Sequence, residues 1–273
     1  MTIFETDENT YLYHYTKAST AINFILKNQN LQLGSMLNTN DPKECKNWTF
    51  ELNTFRNSDF DKYDSDVISS KVDKSIKSST YMICFTKDQP LSGDHMEDIT
   101  RRGYGHSRMW AQYAENHSGV CLIFDKKLLE KFFIETFSSC THFMQSMTYK
   151  DRFISERDLA YLINIDQLEK LGLENYTSLH AQRFKDRLFF EKLEDWKNEN
   201  EYRFILQGYA EKNLLFPFKY ALKGIVFGAS CSDDTVQNIV KLTCERGIDY
   251  IQLKWKNCSP WYDFRKNFQV SNV

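Results

Sequence analysis

Short apolar runs rich in β-branched and aromatic residues recur along the chain and predict strands. They are LYHY (12–15), LQLGS (31–35), TYMICFT (80–86), GVCLIFD (119–125), EYRFILQ (201–207), KGIVFG (223–228) and DYIQLKW (249–255). Helical spacing predicts helices over 17–28, where Ala21, Ile22, Ile25 and Leu26 share a face, over 107–116 and over 233–246. A mixed polar and apolar region from about 155 to 195 also reads as helical. Residues 38–78 are rich in Asn, Asp, Ser and Lys and read as loop with a weak helix. Strands and helices mix without a steady βαβ rhythm, so the pattern predicts an α+β fold rather than a doubly wound sheet. With no linker or internal repeat, residues 1–273 are expected to form one domain.

Composition narrows the classes. Hydrophobic residues at 41% and charged residues at 26% are those of an ordinary globular chain. A net charge of −2 gives no global positive field to recruit nucleic acid. No apolar run approaches the ~18 residues of a membrane span, and MTIFETDENT lacks the basic start and apolar core of a signal peptide, so a cytoplasmic location is expected. Seven scattered cysteines, none in a C-x-x-C pair, predict reduced thiols and no metal site. There is no G-x-G-x-x-G, G-x-x-x-x-G-K-[ST], H-E-x-x-H or G-x-S-x-G. That absence excludes the commonest signatures of dinucleotide sheets, phosphate loops, zinc peptidases and serine hydrolases.

Three stretches carry candidate chemistry. In LYHYTK, His14 falls at a strand-to-helix turn, either projecting into a pocket or only hydrogen-bonding the local backbone, and Thr16 is placed to cap the following helix. In MWAQYAENHSG, Trp110, Tyr113, Ala114 and His117 share one helical face, either as a core stripe or as a functional surface. In DWKNENEYRFILQ, Glu199, Glu201 and Arg203 are two apart and point one way on a strand, while Tyr202, Phe204 and Leu206 point the other. Two such carboxylates repel unless a cation intervenes, and Arg203 is placed to be that cation. A solvated charge ladder on an edge strand is the competing reading.

The motifs LYHYT, NDPKE, CFT, MWAQYAENHSGVCLIFD and WKNENEYR, in that order, resemble the bacterial family called domain of unknown function 2971 over roughly residues 11–230. More distantly, the chain resembles ADP-ribosyltransferases of the diphtheria-toxin and poly-ADP-ribose-polymerase type. His14 in YHYT matches their first-strand histidine, although Tyr15 stands where glycine is usual. Phe85 and Thr86 match their aromatic-Ser/Thr strand, Tyr113 their helical tyrosine, and Glu201 their late glutamate. Glu199 resembles the first member of an E-x-E pair. Residues 87–112 form a long insertion before Tyr113 and make Trp110 its rival.

That resemblance implies a split, mostly antiparallel sheet with helical insertions and NAD as a substrate. His14 and Thr16 would hold a ribose hydroxyl. The ring of Tyr113 or Trp110, with His117 nearby, would stack on the nicotinamide. Glu201 would stabilise the oxocarbenium charge that develops as the glycosidic bond breaks, and Glu199 would activate the acceptor. The expected reaction is ADP-ribose transfer to a protein or nucleic acid, or hydrolysis of NAD, in an intracellular toxin or phage-defence effector. Its rivals are a non-catalytic nucleotide- or nucleic-acid-binding module and an RNA-end phosphotransferase, the latter requiring several Arg or Lys facing the pocket. No membrane or metal partner is expected.

Overall fold

The computed structural model describes residues 7–54, 62–153, 157–208 and 214–262. Within the expected insertion 38–78, residues 55–61 lie outside the described residues, as does the start of the expected helical region, 155–156. The centre is a nine-stranded sheet. Its strands are β1 (Tyr11–Thr16), β2 (Gly34–Ser35), β3 (Thr80–Thr86), β4 (Val120–Asp125), β5 (Thr141–Ser146), β6 (Glu201–Gln207), β7 (Leu222–Phe227), β8 (Asp249–Lys256) and β9 (Ser259–Tyr262). Their spatial order is β9-β8-β7-β4-β1-β3-β6-β5, with β2 also on β3. All pairs in this sheet are antiparallel except β7 with β8, which are joined through the helix Asp233–Thr243. The chain is thus a mixed α and β fold with a mostly antiparallel sheet.

One junction differs from the rest. β1 runs in full register with β4, from Tyr11 opposite Asp125 to Thr16 opposite Val120. On its other side it meets β3 only where Tyr13 lies opposite Thr86. Beyond that point the two strands part, and β2 takes Met82 and Tyr81 of β3 instead. The sheet therefore opens between β1 and β3.

Side-chain alternation divides the core accordingly. Leu12, Ile83, Phe85, Leu122, Phe124, Tyr202, Phe204 and Leu206 build one continuous face under the helices Lys126–Thr136 and Asp233–Thr243. The opposite face carries two separate clusters. One joins Met82 and Ile205 to the helices Ser65–Ser78 and Leu173–Arg183, and the other joins Tyr13 and Tyr15 to the helix Ser107–Tyr113.

Two local expectations are corrected. The segment 38–78 contains a 14-residue helix, Ser65–Ser78, capped by the Asp64 carboxylate on Val67 N–H. Its polar composition hides the buried row Ser69, Val72, Asp73, Ile76 and Lys77, in which Asp73 and Lys77 pair at 2.7 Å. Thr16 does not cap the first helix. It is the last residue of β1, buried against β4, and the cap position falls to Lys17, which makes no side-chain cap bond. The region 157–195 includes the helices Ile165–Leu171, Leu173–Arg183 and Lys185–Phe189, with two short strands.

Candidate functional site

A half-open cavity of about 430 Å³ occupies the opening between β1 and β3, within the usual size range of small-molecule sites. β1 contributes Tyr13, His14 and Tyr15, β3 contributes Met82 to Thr86, and β6 contributes Glu201 and Arg203. Tyr113 and Met109 reach it from the helix Ser107–Tyr113, Asp41 and Glu44 from the loop and short helix near Pro42, and Lys192, Trp196 and Glu199 from the segment before β6.

His14 marks the point of separation. Tyr13 pairs with Thr86 and Thr86 with Glu201, so those side chains share a face, and His14, one residue on, starts from the other. Its ring lies 5.7 Å from that of Phe85, and its Nδ1 is 3.2 Å from the Cys84 carbonyl. A carbonyl only accepts, so Nδ1 carries the proton. Burial lowers the His14 pKa despite that hydrogen bond, keeping the ring neutral at pH 7 and Nε2 an acceptor. His14 and Glu201 thus leave opposite faces of the sheet and share one cavity because the sheet is open between them.

The floor is a buried chain of charges. Tyr113 donates its hydroxyl proton to Glu199 Oε1 at 2.8 Å. Lys192 donates to Glu199 Oε2 at 2.8 Å and to Glu201 Oε2 at 2.6 Å. Arg203 donates Nε–H to Glu201 Oε1 at 2.6 Å, and its Nη1 donates to Glu44 Oε1 at 2.6 Å and to the Phe189 carbonyl at 2.9 Å. The Glu201 N–H donates to the Tyr149 hydroxyl at 2.9 Å. Burial would raise the Glu201 pKa, but Arg203 and Lys192 outweigh it and hold the carboxyl well below its ordinary range. Burial likewise opposes the charge of Lys192, and Glu201, Glu44 and Glu199 outweigh it and raise its pKa. The Tyr113 hydroxyl is raised by burial and then by Glu199.

The cation between the two glutamates is therefore Lys192, and Arg203 braces Glu201 from the far side. Alternation along the short strand Glu191–Lys192 sends Lys192 into the cavity while Glu191 pairs with Lys43, Arg152 and Arg187. β6 is not an edge strand: it lies between β3 and β5 with all seven residues buried.

Of the other sequence candidates, Tyr15, Phe85, Thr86 and Tyr113 line the cavity, whereas Thr16, Trp110 and His117 do not. Trp110 is 1% exposed, stands edge-on to Tyr15, and donates its indole N–H to the Tyr104 carbonyl at 2.7 Å. The helix ends at Tyr113, and Glu115, Asn116 and His117 all have positive φ. That reversal breaks the expected stripe and leaves His117 stacked on the Trp110 ring.

Sequence reading missed Lys192, Glu44, Asp41 and Trp196. NDPKE contains Asp41 and Glu44, and Lys192 precedes WKNENEYR by a few residues, but nothing local tells such residues from solvated ones. Among the described residues, no group of three or more His, Cys, Asp or Glu could hold a metal ion, and no helix is long and apolar enough to cross a membrane. None of the seven cysteines is bridged.

No curated protein and no solved structure matches the chain. Residues 109–204, which run from Met109 through Lys192 and Glu199 to β6, match the model of the family described as Protein of unknown function (DUF2971).

Proposed function

We propose that the cavity binds NAD⁺ through its nicotinamide-ribose end and that the chain transfers ADP-ribose to a macromolecule or to water, in the setting of an intracellular toxin or phage-defence effector. The observation that carries this reading is the convergence of His14, Tyr113 and Glu201 on one cavity. The acceptor Nε2 of neutral His14 suits a ribose hydroxyl. The Tyr113 ring, fixed by its bond to Glu199, offers a face for the nicotinamide. Glu201 remains ionised and would stabilise positive charge developing at the ribose, with Glu199 beside it.

A second reading rests on its own observation. Both Glu201 oxygens are already held by cations, Oε1 by Arg203 and Oε2 by Lys192. Such a carboxylate presents less net charge to a transition state, which favours a non-catalytic nucleotide-binding module. An RNA-end phosphotransferase has less support, because Lys192 and Arg203 are the basic side chains lining the cavity and both are paired with carboxylates. The test is to incubate the full chain with NAD⁺ and measure both NAD⁺ binding and released nicotinamide. Binding with release supports the transferase; binding without release supports the module; no binding removes NAD⁺ as the ligand.

A further inference from the structure

The charged side chains lining the cavity are unbalanced. Four are carboxylates, Asp41, Glu44, Glu199 and Glu201, and two are cations, Lys192 and Arg203. The cations are paired with Glu44, Glu199 and Glu201. Asp41 stands apart from that chain. It is 2% exposed, and its Oδ1 accepts the Lys43 N–H at 2.9 Å, capping the short helix Pro42–Cys45. Its Oδ2 is buried without a hydrogen-bond partner. The amine of neighbouring Lys43 turns away to Glu191. A buried carboxylate oxygen left unpaired is costly, and natural sites keep such groups where something else completes them.

The remaining walls fit the same kind of occupant. Tyr13, Tyr15, Phe85, Tyr113 and Trp196 are among the residues that line the cavity, and aromatic side chains are favourable neighbours for a cation. We propose that the cavity recognises a positively charged ring, the pyridinium of an N-glycoside, whose charge offsets part of the negative charge of the lining, with Asp41 as its counter-ion. The proposal rests on the reading of this cavity as the NAD⁺ site. It adds that oxidised ligand is selected over reduced by charge. Reduction of the nicotinamide by one hydride leaves size and hydrogen-bonding groups almost unchanged and removes the positive charge, so NAD⁺ and NADH isolate the effect.

Asp41→Asn provides a sharp test. Asparagine caps helices as well as aspartate, and because the cap requires an oxygen on the Lys43 N–H, the amide nitrogen must take the Oδ2 position. An acceptor with charge becomes a donor without it. Titration calorimetry of the full chain at pH 7.5 is expected to show NAD⁺ binding at least tenfold tighter than NADH. In Asp41→Asn the NAD⁺ affinity falls about tenfold or more, NADH affinity hardly changes, and thermal stability is equal or higher. Asp41→Ser, which also keeps a capping oxygen, gives the same loss of preference and replaces the first variant if that one melts early. Equal wild-type affinities for NAD⁺ and NADH would overturn charge selection while leaving the NAD⁺ reading intact. A preference that persists in both variants would overturn the role of Asp41. Failure of the wild type to bind either form would overturn the NAD⁺ reading and this proposal with it.

Discussion

Lys192→Met tests whether the buried charge chain is a single electrostatic unit. Methionine keeps the length and flexibility of the lysine stem and deletes its charge. The lysine nitrogen lies 2.8 Å from Glu199 and 2.6 Å from Glu201, and all three side chains are less than a tenth exposed. Without it, two carboxylates face each other with Arg203 as the nearest remaining cation. At an effective dielectric of 20, like charges 4 Å apart repel by about 4 kcal/mol. Breaking a buried ion pair by removing one partner costs roughly 3–5 kcal/mol. The two figures agree, and either is a large part of the roughly 5–15 kcal/mol that stabilises a typical domain.

The pH dependence has a definite sign. In the wild type Glu201 is held below its ordinary range, so its contribution is present above the unfolded pKa of about 4.3 and is lost as pH falls through the lower folded value. In the variant one of the facing carboxylates is raised instead. Its proton is held at low pH, and stability is lost as pH rises through that raised value. The gap between the two proteins should therefore be widest near pH 7.5 and shrink toward pH 4. Urea denaturation at pH 7.5, 6 and 4.5 measures it. Adding Glu199→Gln to Lys192→Met should restore part of the loss, a coupling visible in a double-mutant cycle. A gap below about 1 kcal/mol at pH 7.5, or one that stays constant with pH, would refute the reasoning.

Glu201→Gln should slow nicotinamide release by roughly 10²–10³-fold with substrate still bound, whereas Glu199→Gln should spare hydrolysis and reduce transfer to the acceptor; equal small effects in both would favour the binding module. His14→Ala should weaken NAD⁺ binding several-fold, since a neutral hydrogen bond is worth about 0.5–1.5 kcal/mol net, and unchanged calorimetric affinity would assign His14 only to bridging the split through Cys84. Because burial lowers the His14 pKa, wild-type NAD⁺ affinity should stay flat from pH 8 down to about 6.5 and fall at lower pH as Nε2 gains a proton. Gly103→Ala would put a Cβ 2.2 Å from the Tyr13 ring and should cost about 1–3 kcal/mol; an unshifted melting temperature would contradict the packing of that loop on β1.

What the sequence determined by itself is mostly local. The runs 80–86 and 201–207 form strands with those bounds, and 120–125 lies one residue inside its predicted run, because continuous apolar and β-branched residues favour an extended, buried chain whatever their partners are. The helix start at Ser232 is likewise local, its side chain accepting an N–H of the first turn, whereas the helix Lys126–Thr136 was not among those the sequence pattern predicted. The grouping of His14, Tyr113 and Glu201 was legible only through motif order, since no spacing rule brings residues so distant in sequence together. The tertiary structure decided the rest. Whether β1 would pair with β3 along its length or at one position depends on where β2 lies, and strand register is a property of the pair and not of either strand. Polar residues at 65–78 read as solvated until a neighbouring helix buries their stripe. A glutamate or lysine in sequence looks exposed by default, and Lys192, Glu44 and Arg203 are buried here because each supplies the opposite charge that makes the burial of the others affordable.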